Sequence, residues 1–169
     1  PSSILLHGSI TLTTEDISDF NIIGGAATHD TLNMGTATTT GAVFERLKLQ
    51  GTVNGTIHCK DCILSNLSEF DGFLVGGAVG GTLSLSGETH LVNVHAAATG
   101  TNSITIDYQG NAIDSFIPGW EGNMLITNHS HASSLTAIDM RSGTITLDSS
   151  CTNGTIVLRG VGRPVDNSG

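Results

Sequence analysis

One five-residue unit recurs along the chain: a glycine, a hydroxyl residue, then two apolar positions separated by a single residue. It reads Gly8-Ser9-Ile10-Thr11-Leu12, Gly55-Thr56-Ile57-His58-Cys59, Gly81-Thr82-Leu83-Ser84-Leu85, Gly143-Thr144-Ile145-Thr146-Leu147 and Gly154-Thr155-Ile156-Val157-Leu158. Alternation of period two places both apolar residues on one face of a strand, and the leading glycine supplies a bend. Strands this short bury little alone, so the units must stack on copies of themselves.

From about residue 36 onward the sequence is a succession of such runs, among them "TVNGTIHC", "GTLSLSG", "NSITIDY", "TITLDS" and "TIVLRG", divided by Gly, Asn, Asp or Ser corners. Hairpins would need Asn-Gly or Asp-Gly turns between most runs. Such pairs stand at Asn54-Gly55, Asp71-Gly72 and Asn153-Gly154, but most corners differ. The expected fold is therefore all-β, a parallel β-helix or solenoid with rungs of roughly twenty residues. Rungs are drawn at 52–72, 102–122, 123–143 and 144–163, with Ile57, Cys59, Ile104, Ile106, Leu125, Ile145, Leu147, Ile156 and Leu158 pointing inward and threonines outward. "GGAVGG" and "HAAATGTN" break the length and predict an irregular rung or loop. "AVFERLKLQG" alternates like one strand, and "TTEDISDFNIIGG" holds at most a short helix or turn. Residues 1–35 are set apart as an N-terminal cap or assembly segment, and 36–169 as the rungs.

Composition agrees. The 169 residues include 22 glycines, and only 12% are charged, about half the usual ~25%. Fifteen acidic residues face six basic ones for a net charge of −9, and the basic residues are scattered. No electropositive stripe exists for nucleic acid, and nothing steers the chain to an anionic membrane. "PSSILLHGSITL" lacks a basic leader region, and no run approaches the ~20 apolar residues of a membrane span. Three cysteines form no disulfide framework, which suits a reducing compartment.

Few residues suggest chemistry. Cys59 and Cys62 have Cys-x-x-Cys spacing, but zinc would require a second ligand pair, and positions three apart on a strand face opposite ways unless a corner falls at Lys60-Asp61. Buried core filling is the favoured role. His129 and His131 in "NHSHASS" would share one face of a strand, making them the metal candidates, against the plainer reading of a polar corner. Tyr108 and Trp120, the latter in "FIPGWEGN", are the candidate ligand surface, where an aromatic plate could stack on a sugar; the alternative is cover for an irregular corner or a subunit interface. Glu69 with Asp71, or Asp107 with Asp114, have the residue types of a glycosidase pair, as expected by coincidence in so acidic a chain. No phosphate loop or nucleophile elbow is present. Threonine runs such as "TATTT" lack the regular spacing an ice-binding face requires. No catalytic residue and no cofactor is assigned.

The C-terminal texture, "TIDYQGNAIDSF" and "MRSGTITLDSSCTNGTIVLRGVGRPVDNSG" preceded by "GTVNGTIHCKDCILSNLSEFDG", resembles the repetitive β-helical structural proteins of tailed-bacteriophage tails and fibres. The resemblance implies a non-enzymatic virion element made in the host cytoplasm: a homotrimeric rod or tail tip, with other tail proteins as partners and a host surface as a contact. It carries no functional residues. The His129/His131 pair is similar to the His-x-His iron sites of trimeric phage fibres, which repeat or sit at an apex, whereas this pair occurs once, mid-chain. The alternative is a tailspike-like glycan-binding or glycan-degrading β-helix, and a cellular adhesin of the same architecture stands third.

Overall fold

Val43 pairs with His58 and Lys48 with Ile63, each partner fifteen residues later and each pairing parallel. Those two registers define a coil, because a parallel neighbour is reached only by a full circuit of the chain. The computed structural model describes residues 2–97 and 103–160, and the backbone alone for 165–167. Its strands are β1 (Ser3–Leu6), β2 (Ser9–Thr11), β3 (Asn21–Gly24), β4 (Thr31–Asn33), β5 (Val43–Glu45), β6 (Lys48–Thr52), β7 (Ile57–Val92), β8 (His95–Ala96), β9 (Ile104–Asp107), β10 (Asp114–Glu121), β11 (Met124–Thr127), β12 (Leu135–Ser142), β13 (Ile145–Leu147), β14 (Thr155–Gly160) and β15 (Val165–Asn167). All pairings among them are parallel, in a β-solenoid of about eight turns.

The turn length varies along the axis. β1 to β3 is an offset of 18 residues and β3 to β5 one of 22, the central turns take 15, and β9 to β11 to β13 take 20 and 21. The rung of about twenty residues thus holds toward both ends and contracts in the middle. In the contracted turns the left-handed residues Arg46, Gly51, Gly55, Asp61 and Asn66 stand about five residues apart, and each swings the chain onto the next face. A fifteen-residue turn therefore has three sides. β7 is one continuously paired run that wraps these corners through more than two turns.

Three ladders result. The first joins β1, β3, β5 and the start of β7, with Ile4, Ile22, Phe44 and Cys59 in partner positions. The second joins β2, β4, β6 and β7 through Ile10, Leu32, Leu49 and Leu64. The third runs from Thr82–Ser84 in β7 through β9, β11, β13 and β15. A separate sheet, β10-β12-β14, lies beside β7 in the C-terminal half. Inward residues of every ladder merge into a single core containing Phe44, Leu49, Leu64, Leu74, Leu83, Ile106 and Ile126. Burying each such side chain contributes on the order of 1.5–3 kcal/mol before chain entropy is deducted.

Several strand assignments shift. "AVFERLKL" is two strands, not one, because Arg46 at φ 53° ends β5 and reverses the phase: Phe44 points in before the corner, Leu47 and Leu49 after it. Leu125 faces outward while Met124 and Ile126 are buried, since the register sets Ile104 on Met124 and Ile106 on Ile126. Ile156 and Leu158 are half-buried. The two "GTI" units at 143 and 154 lie on different sheets, in β13 and β14, so they are two sides of one turn. Residues 2–35 carry β1 to β4 and continue the same ladders; 13–25 holds a turn at 18–19 and then strand β3, with no helix. "GGAVGG" belongs to β7, whereas residues 98–102 of "HAAATGTN" lie outside the described residues.

Candidate functional site

Three groups of side chains have the chemistry to act: a polar network in the core, a thiol pair at a corner, and a row of rings on the outside of the first ladder.

The network centres on His129, which is 1% exposed. Its Nδ1 lies 2.9 Å from the carbonyl oxygen of Asn153, which can only accept, so Nδ1 carries a proton. Nε2 lies 3.1 Å from Thr136 Oγ1, and that oxygen is 2.5 Å from the Tyr108 hydroxyl, so ring and hydroxyls form one connected chain. The Tyr108 ring also meets the imidazole edge-on at 4.6 Å. Burial pushes the Tyr108 phenol up to about 12, against the pull of the Ser115 and Thr136 hydroxyls. Each polar side-chain atom of His129, Thr136 and Tyr108 finds a partner, which is how a core tolerates them. Both nitrogens of His129 are committed and no acid adjoins them, so the cluster is a structural plug.

The residues singled out in the sequence are accordingly relocated. His129 points inward, while His131 is exposed and its Nδ1 accepts the N–H of Ser133 at 3.2 Å. Residues 128–131 form no strand, so the alternation that would have put both rings on one face does not operate. Among the described residues no three His, Cys, Asp or Glu side chains converge on a metal-sized site. Tyr108 and Trp120 are not a ligand surface: at 1% and 0% exposure both are core residues. Tyr108 can bury because its hydroxyl is hydrogen-bonded to Thr136 Oγ1, and Trp120 lies where β10 shifts register between Ile117 and Trp120. Its indole N–H has no partner among the described residues. The carboxylates serve corners: Asp107 accepts from Gln109 N–H and Asn128 Nδ2, Asp114 from Leu135 N–H.

At the thiol pair, the corner required to bring Cys59 and Cys62 together exists. Asp61 has φ 53°, and both cysteines are buried as free thiols. Burial pushes the Cys59 thiol well up, and its hydrogen bond to Cys62 lowers the latter.

Sequence reasoning missed the row of rings. Phe73 stacks on His90 with centroids 4.7 Å apart and planes 12° apart, and meets His58 edge-on at 4.9 Å. The three lie on successive turns and face outward. Beside them, Val43, His58, Lys60, Phe73 and Val75 line a shallow apolar depression, and Phe116, Pro118, Ala137, Asp139, Val157 and Arg159 line a second on the same side of the molecule. The signal was present as consecutive apolar residues, Phe73-Leu74-Val75, Leu91-Val92 and Ile156-Val157-Leu158. An alternating strand with one wet face should not contain these runs.

No family model, curated protein or solved structure matches the chain. Any functional reading must therefore come from its own residues.

Proposed function

We propose that the chain is a rigid structural element, a length of rod in a phage tail or fibre apparatus that works as a homo-oligomer within the virion, with a host surface as a contact and no catalytic task. The observation that carries this reading is the closure of the core: stacked turns enclose it, and its polar cluster, His129, Thr136 and Tyr108, has its hydrogen bonds spent. What remains for function is stiffness and surface. The phage setting is supported by the resemblance in rung texture together with the solenoid architecture. The test is antibody labelling of purified particles by electron microscopy. Label along or at the tip of the tail is the expected result, and label absent from particles overturns it.

The glycan-binding alternative has less support. A sugar stacks on the face of an aromatic ring. Phe73 has one face against His90, Tyr108 and Trp120 are enclosed, and Phe116, the remaining exposed ring, lies among Pro118, Ala137 and Val157.

A further inference from the structure

We infer that the outward side of the first ladder, continued on β10-β12-β14, is the surface through which two copies of this chain pack side by side. Of the large apolar side chains that stay exposed, Val43, Phe73, Val75, Val92, Phe116 and Val157 lie on this side, each 36–48% exposed, and the others, Ile4, Leu5 and Ile10, are in the first two strands, β1 and β2. The register strings them along the axis. Val43 is the Cα partner of His58, β10 lies beside β7, and Phe116, Ala137 and Val157 are successive partners. The other ladders present mainly polar residues outward, Thr31 on Lys48, Asn33 on Gln50, Thr82 on Thr105 and Ser84 on Asp107, with the half-buried Ile63 and Leu125 as single apolar positions among them. Isolated exposed apolar residues need no explanation, but a continuous row on one side of three does.

Two observations select a second copy as the occupant. The row follows the axis through successive turns, so a partner must offer apolar side chains at the same strand spacing of about 4.8 Å over the same length, which an identical solenoid does. Charge points the same way. The chain carries −9 overall, but this side sets Lys60, Arg141 and Arg159 against Glu45, Glu88, Asp114, Glu121 and Asp139, a set nearer to balance than the rest of the chain, on which two copies repel less. Glu45 is the partner of Lys60 and Asp139 of Arg159. Opposite signs thus sit one turn apart, and a neighbour displaced by one turn sets Glu45 against Lys60 and Asp139 against Arg159.

This inference rests on the structural reading only in taking association as the use of the surface. The test is sedimentation velocity on the 169-residue chain over a range of concentrations, for the parent, Val75→Asp, Phe116→Asp and the control Thr82→Asp, with circular dichroism to show that each variant is folded. The expected result is a concentration-dependent oligomer that either apolar-to-Asp change weakens by more than about tenfold, since a carboxylate is stranded in a dry interface, while Thr82→Asp leaves it intact. A parent that stays monomeric overturns the inference. So does an oligomer that Val75→Asp and Phe116→Asp do not disturb; that outcome moves assembly to another surface and leaves the structural reading standing. Particle labelling decides the structural reading separately.

Discussion

Gly72 lies directly over Ile57, one fifteen-residue turn earlier, and a Cβ on Gly72 would overlap the Ile57 carbonyl oxygen. Its φ of 135° is also closed to ordinary side chains. Gly8 shares the left-handed requirement, at φ 79°, but nothing lies within 4 Å of the place a methyl group there would take. Backbone strain and steric overlap are therefore separable. Gly8→Ala should cost about 1–2 kcal/mol, the left-handed penalty alone, and Gly72→Ala should cost well beyond that, because a backbone carbonyl cannot step aside. Urea unfolding of the two variants checks the difference, and equal midpoints would contradict the stacking.

Asp30 staples the first turns. Its carboxylate accepts the N–H groups of Gly8 (2.8 Å), Gly25 (2.6 Å) and Ala26 (3.1 Å). These bonds, with that of Gly8 foremost and with a smaller pull from the charge of His7, hold the carboxyl below its ordinary 3.8. A depressed value in the folded state means that the unfolded chain binds the proton more readily, so the stabilisation is complete above pH 3.8 and drains away as the pH falls through the folded value. Asp30→Asn should lower the thermal midpoint at neutral pH and flatten its decline below about pH 4. Thermal melts across that range test it. Glu15, Asp16 and Asp148 are lowered in the same direction by their own turn hydrogen bonds, so a residual slope is expected to survive in the variant.

The buried network makes an alkaline prediction. Tyr108, the single tyrosine, is pushed up to about 12 by burial. A raised value in the folded state contributes stability that is whole below the ordinary value of 10 and is lost as the pH climbs toward 12. Phenolate absorbance should therefore appear late and together with loss of structure. Thr136→Val, which strands both the His129 Nε2 and the Tyr108 hydroxyl, should cost about 1–3 kcal/mol, more than Tyr108→Phe. The reverse order in denaturant titrations would sink the network.

Thiol reactivity should follow position. Cys151 is half-buried, whereas Cys59 and Cys62 are enclosed. Alkylation of the native chain should mark Cys151 first and the other two only on unfolding, because an enclosed thiol is out of the reagent's reach. Peptide mass spectrometry over time reads the order directly.

Much of the architecture was legible in the chain. Repeated Gly-Thr-Ile units, the scarcity of hairpin turns and the lack of helix signals together leave little but a parallel coil. Ile57, Cys59, Ile104, Ile106 and Ile145 point inward as their alternation requires. The site residues were less legible. His129, Tyr108 and Trp120 are chemically able side chains whose burial no local pattern announces, and each depends on a partner or a neighbouring turn distant in the chain, as Tyr108 does on Thr136, 28 residues later.

What the sequence determined by itself is the fold class, since period-two alternation and corner residues are local properties of the chain. The tertiary structure decided the turn length, the phase of each strand and the side on which the apolar row emerges. The physical reason lies in the corners. A left-handed residue such as Arg46 or Asp61 reverses which face points inward, and whether a residue takes that conformation depends on what stacks against it one full turn away.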